Sequence, residues 1–166
     1  MPQPLWDASA LAKRYTLERG SETVDAVFAG VPQSQMITTF LSYAETFSLL
    51  WRKHNRGDIS LTTFTAAASL LQAETLNSPD FGLLTLTDRD MIEGVEYMRQ
   101  HNMNASDAAI LAAYIRYARA QSFGSSPTVL IAADQRLLRA ATAEGIATLN
   151  PELVSPTDIP ALLAAL

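Results

Sequence analysis

The chain has 166 residues, 48% of them hydrophobic and 17% charged, with a net charge of −5 and no cysteine. That length and balance suit one globular domain with a substantial core and exclude a disordered chain, while the missing cysteines exclude disulfides, thiolate nucleophiles and Cys-type zinc sites. The acidic balance argues against a broadly basic nucleic-acid-binding surface, but setting four acids aside to hold cations would leave the remainder close to neutral.

In chain order, "PLW" predicts a first short strand, followed by a helix from about Ser9. The start "MPQPLWDASALAKRY" has an acid at position 7 and no basic segment before an apolar core, so no secretory signal is expected and the chain is expected to be cytoplasmic. No apolar run has the length of a membrane span, and no membrane partner is expected. A helical insertion around "GSETVDAVFAG" precedes "SQMITT", a second strand, and a helix to about His54. Another insertion around "ISLTTFTAAASLLQAETL" leads to "GLLTL", a third strand, with a helix from Thr87. The long helix "SDAAILAAYIRYARA" comes before the fourth strand, "TVLIAA"; one more helix runs until Gly145, and "IATL" is the fifth strand.

Repeated β-α units favour a three-layer α/β/α domain with a mostly parallel sheet of about five strands. It is expected to span residues 1–166 as one domain, with residues 151–166 as a C-terminal tail. The tail carries prolines at 151, 156 and 160 before a short apolar helix that could dock on the domain or on a second protomer, and "SFGSSP" reads as a loop before the fourth strand.

Four carboxylates fall where ligands gather in such folds, at the carboxyl ends of strands or facing them. Asp7 ends the first strand, with Ser9 placed to cap the next helix and leave Asp7 free. Glu45 is the only charged residue between Asp25 and Arg52, on a helix that reads as apolar nearly all round. An isolated carboxylate there is costly unless a positive group pairs with it. Asp107 opens the long helix at the head of its apolar stripe, although Asn104 and Asp107 also fit a capping pair. Asp134 lies at the seam between "TVLI" and the next helix, where a simple N-cap would equally suffice. The other acids, among them Glu74, Asp88 and Asp90, sit where solvation or capping accounts for them, and Thr87 with Asp90 reads as a capping box.

Carboxylates packed together repel unless a cation neutralises them. Oxygen-only ligation suits Mg²⁺ or Mn²⁺, one or two of which can drive in-line displacement at a phosphodiester. Neither His54 nor His101 fits a metal or triad pattern. "WRKHNRG" reads as the solvated, cation-rich end of its helix.

The segments "LWDASALAKRYTLERGSE", "SYAETFSLL", "SDAAILAAYIRYA" and "LIAADQRLLRAATAEGIATLNPE" resemble, in order and spacing, those of PIN-domain ribonucleases, most of all the VapC-type toxins of toxin-antitoxin systems. The resemblance implies a metal-dependent endoribonuclease held inactive by a cognate antitoxin, commonly as a homodimer. It implies Asp7, Glu45, Asp107 and Asp134 as catalytic Mg²⁺ or Mn²⁺ ligands and Ser9 as their support. Lys13, Arg14, Arg136 and Arg139, each within two turns of a proposed ligand, are candidate contacts to the RNA backbone. Gln135 and Arg136 stand where many relatives have a further acid or polar group, which bears on a second metal. Two alternatives remain: a PIN-like interaction module with weak catalysis, and a phosphatase with Asp7 as nucleophile, against which Ser9 replaces the aspartate expected two residues on.

Overall fold

All five apolar runs form strands in the computed structural model, which describes residues 2–121 and 127–165. They are β1 (Gln3–Trp6), β2 (Ile37–Thr39), β3 (Gly82–Leu84), β4 (Thr128–Ile131) and β5 (Ala147–Leu149), every pair parallel, in the order β3-β2-β1-β4-β5. The chain therefore leaves the central β1 toward one edge and later returns to the other side of it. The carboxyl ends of β1 and β4 flank the point where the order reverses, the position at which open parallel sheets bind ligands. The predicted loop "SFGSSP" falls largely outside the described residues, at 122–126.

Strand alternation divides the core. Trp6, Met36, Val129 and Ile131 point to one face, under α1 (Ala8–Leu11), α2 (Ser21–Gly30), α3 (Phe40–Asn55), α4 (Leu61–Leu71) and α8 (Ile159–Ala165). Leu5, Ile37 and Leu130 point to the other, under α5 (Asp88–His101), α6 (Ala105–Gln121) and α7 (Gln135–Ala143). This is the three-layer α/β/α arrangement, reached because a sheet buried on both faces is built from mostly apolar runs; the buried Thr38 and Thr39 of β2 are exceptions that satisfy their hydroxyls on the Trp6 carbonyl and on Ser42. Among the described residues, no helix is long and apolar enough to cross a membrane.

Two details differ from the sequence expectation. The helix carrying Glu45 turns its small hydroxyl residues inward: Ser42 and Thr46 are fully buried, while Phe40, Phe47 and Trp51 are 42 to 45% exposed. The hydroxyls bond within the helix and its cap, Thr46 Oγ1 to the Ser42 carbonyl at 2.7 Å, so burial leaves no polar atom unpaired there. Phe47 and Trp51 lie edge-on to Phe64 of α4 instead. Asp90 does form the expected capping box with Thr87, but it is also fully buried and takes a two-pronged bond from Arg116, at 2.8 and 2.9 Å.

The C-terminal tail docks on the chain's own α2. Ile159 and Leu163 enter the core, Thr23 Oγ1 donates to the Val154 carbonyl at 2.8 Å, and Lys13 meets Glu152 at 2.7 Å. Gly20 makes this possible. Its φ is +88°, and a Cβ there would stand 2.9 Å from the backbone of Pro151. We predict that Gly20→Ala costs about 1–3 kcal/mol through strain and displacement of the tail. Gly30→Ala, a change into open space at the end of α2, should be neutral or stabilising by up to about 1 kcal/mol. Urea denaturation of both variants checks this, and a Gly20→Ala midpoint equal to wild type would contradict it.

Candidate active site

Asp7 follows β1 immediately and, contrary to expectation, is itself the cap of α1. Its Oδ2 accepts hydrogen bonds from the Ser9 amide at 2.9 Å and from the Ser9 hydroxyl. Ser9 does not cap the helix; its Oγ also accepts from the backbone amides of Ala133 at 2.9 Å and Asp134 at 3.3 Å. One hydroxyl thus ties the acid after β1 to the turn after β4. The turn is further fixed from behind: the Asp7 amide donates to the Ile131 carbonyl, and the Trp6 carbonyl accepts from both Thr38 Oγ1 and the Tyr114 hydroxyl at 2.7 Å.

Asp134 caps α7 through Oδ1, which accepts from the Arg136 and Leu137 amides at 2.7 and 3.0 Å. Its other oxygen has no hydrogen-bond donor among the described residues, so capping and a second role are compatible. Asp107 and Asn104 make the reciprocal pair read from the sequence, both bonds at 2.8 Å. Glu45, half-buried on α3, is reached by the side chain of Ser106. All four acids and Ser9 line one open cleft of about 280 Å³, together with Asn104 and Arg52.

The cleft makes each buried acid harder to ionise. Burial pushes Asp7 up, against the Ser9 hydrogen bonds, and the charge of Asp134 adds to the rise. Burial also raises Glu45; Ser106 opposes it, Asp7 adds to it and Arg52 lowers it. Asp107 is pushed up to about 6, first by burial, then by Asp7, Asp134 and Glu45. Mutual repulsion of this kind is what a bound cation relieves. Among the described residues no three acidic or histidine side chains already form a closed cage. The donor set, carboxylate and hydroxyl oxygens around an open cleft, nevertheless fits hard cations such as Mg²⁺ or Mn²⁺ and leaves room for water and phosphate oxygens.

The expected substrate cations separate into two pairs. Lys13 is only 4% exposed and is held by Glu152 and, at 3.6 Å, Glu18; Arg14 is clamped by Glu74 and Asp25 and lies over the Phe28 ring. Both are ion-paired within the protein, because partners remote in sequence fold onto them, although Lys13 also lines, with Lys53, an adjoining cleft that shares Ser9, Leu49 and Asp134 with that of the acids. Arg136 and Arg139 are exposed on α7, outside the lining of the acid cleft, and Arg139 borders a separate cleft with Asn150 and Leu153. Arg52, read from the sequence as part of a solvated helix end, faces the acids instead. It lies seven residues after Glu45, two helical turns along the same face, a spacing visible in the sequence.

A family model for the PIN domain matches residues 5–143. The chain belongs to the PIN-domain family. PAE2754 from Pyrobaculum aerophilum is similar in structure, with 20% identity, a TM-score of 0.60, and 99% of this chain and 97% of that one covered. So is VapC20 from Mycobacterium tuberculosis, a sarcin-ricin loop cleaving toxin, at 18% identity and a TM-score of 0.62, covering 87% of this chain and 97% of that one. A toxin-antitoxin complex from Klebsiella pneumoniae has a chain that matches at 15% identity and a TM-score of 0.53, with coverage of 90% and 98%. At these identities the likeness is one of fold. Among curated proteins there is no significant match.

The raised Asp107 has a stability consequence for this PIN domain. Unfolded, the carboxyl releases its proton near the ordinary value of 3.8; folded, it holds it to about 6. Between about pH 4 and pH 6 the metal-free folded state binds more protons than the unfolded one, so stability falls as pH rises through that window. Asp107→Asn should remove this contribution and gain on wild type across the window, by about 1 kcal/mol at its upper end. Metal-free melting curves at successive pH values check it; a constant offset between the two proteins would count against the electrostatic account.

Proposed function

We propose that the chain is a metal-dependent endoribonuclease, acting as a VapC-type toxin restrained by a cognate antitoxin. The observation that carries the reading is the convergence of Asp7, Glu45, Asp107 and Asp134, from separate parts of the chain, on one cleft at the switch point of a parallel sheet. Membership of the PIN family, a family of nucleases, supports it. Two similar structures, a sarcin-ricin loop cleaving toxin and a toxin-antitoxin complex, favour the toxin assignment. Homodimerisation belongs to the same reading.

In this reading the four acids hold the cation. Ser9 keeps Asp7 and the Asp134 turn in register, while Asn104 and Ser106 orient Asp107 and Glu45. One or two Mg²⁺ or Mn²⁺ ions would supply charge neutralisation and water activation for in-line attack at phosphorus. The chain's contribution is a set of carboxylate and hydroxyl oxygens around a cleft open to solvent, and an unpaired strand is the form of RNA such a site would act on.

Purified protein should cut unstructured RNA with Mn²⁺ or Mg²⁺ and stop on chelation, and Asp7→Asn should lower the rate by more than about 100-fold, beyond the effect of an outer-shell change. Mn²⁺ should raise the melting temperature of wild type through preferential binding to the folded state, and much less that of Asp107→Asn. Glu74 is unsuitable as a neutral control because it holds Arg14; the exposed Asp80→Asn should match wild type in both assays. Cleavage in excess chelator, or a full Mn²⁺ shift in every one of the four acid variants, would overturn the mechanism. Induced expression should arrest growth, with relief by a co-expressed protein that copurifies with it; unaffected growth with soluble, metal-loaded protein would remove the toxin assignment.

A further inference from the structure

Among the cleft-lining residues Arg52 is the only cation. Among the described residues its side chain makes a single hydrogen bond, from Nη1 to Ser48 Oγ at 3.0 Å on the same helix, and no ion pair within 4 Å. A guanidinium carries five N–H donors in a planar fork, so most of that fork is uncommitted beside four carboxylates. The neighbouring cations are committed: Lys13 to Glu152 and Glu18, Lys53 to Glu18 at 3.2 Å, Arg14 to Glu74 and Asp25.

The position defines what Arg52 can reach. Seven residues place it about 10 Å along α3 from Glu45, with Leu49 between them on the cleft wall. The guanidinium therefore belongs to the margin of the acid cleft rather than its centre. A nucleic-acid strand whose reacting phosphate lay among the acids would carry its next phosphate outward, past that margin. Planar, forked donors suit phosphate oxygens and carry no information about the base.

Resting on the ribonuclease reading, we propose that Arg52 is a substrate-binding residue that grips a phosphate of the RNA strand next to the one being cleaved. It sets the register of the strand on the acids without contributing to metal binding. Loss of one charge-assisted contact of this kind raises KM by about tenfold. It also lowers the slope of log KM against log salt by about 0.7, the contribution of one neutralised phosphate on a single strand.

The experiment measures Mn²⁺-dependent cleavage of a fluorescent single-stranded RNA over a salt series for wild type, Arg52→Gln, Arg52→Lys and Arg56→Gln, with Mn²⁺-induced melting shifts for each. Arg56, at the end of the same helix, is paired with Asp58 and does not line the cleft. Arg52→Gln should show the raised KM and reduced salt slope, with kcat within about twofold and an undiminished Mn²⁺ shift. Arg52→Lys should recover the salt slope and only part of the KM, since charge returns without the fork. Arg56→Gln should match wild type. An unchanged KM and salt slope in Arg52→Gln, with wild type active, overturns the assignment to Arg52 alone. A lost Mn²⁺ shift in Arg52→Gln overturns it as well, by making the residue a support of the acid cluster. Wild type that fails to cut RNA overturns the ribonuclease reading and this inference with it.

Discussion

The hydroxyl of Ser9 closes the carboxyl end of the sheet. It donates to Asp7 and accepts from two amides of the turn before α7, so the ends of β1 and β4 are joined above the last strand hydrogen bonds. The Trp6 carbonyl, one peptide below, is held from β2 and from α6 by Thr38 and Tyr114. Asp7 is thus fixed from four elements at once. The fixation offsets a real cost, because burial and the charges of neighbouring acids both oppose ionisation in the cleft. A looser scaffold would let the acids separate and lose their common cleft.

The strands were legible because each is a short apolar run bounded by polar or turn-forming residues, as in "GLLTL" and "TVLIAA". A sheet buried on both faces needs such runs, and their alternation with helices left little choice of architecture. The orientation of α3 was not legible. A helix that reads as apolar nearly all round does not say which side is buried: Ser42 and Thr46 satisfy their hydroxyls locally and pack inward, while Phe47 and Trp51 close against α4. Burial there follows from the neighbour, which composition does not name.

Sequence position also brought the four acids to attention, since each stands at a strand end or on a helix face turned toward one. It did not foretell how the cations pair. Lys13 and Arg14 stand close to Asp7 in sequence, but their partners, Glu152 and Glu74, are 139 and 60 residues away and appear only on folding. Arg52 was hidden by its company: in "WRKHNRG" it reads as one of several solvated charges, though its seven-residue distance from Glu45 places both on one helical face. Proximity along the chain says where a side chain starts, and tertiary pairing decides where its charge is available.

The pairing of β1 with β4 also sets the order in which this protein can come into being. Ser9 Oγ waits for amides that follow it by 124 and 125 residues, so a nascent chain that has emerged only as far as α6 holds Asp7, Glu45 and Asp107 without the turn that completes their cleft. Contacts of such long sequence separation close late, because the loop entropy must be met before they stabilise anything. The Lys13–Glu152 pair and the docking of α8 come later still. The full set of carboxylates therefore assembles only after Asp134 has been added, and a ribosome stalled before residue 134 carries a chain with an incomplete cleft.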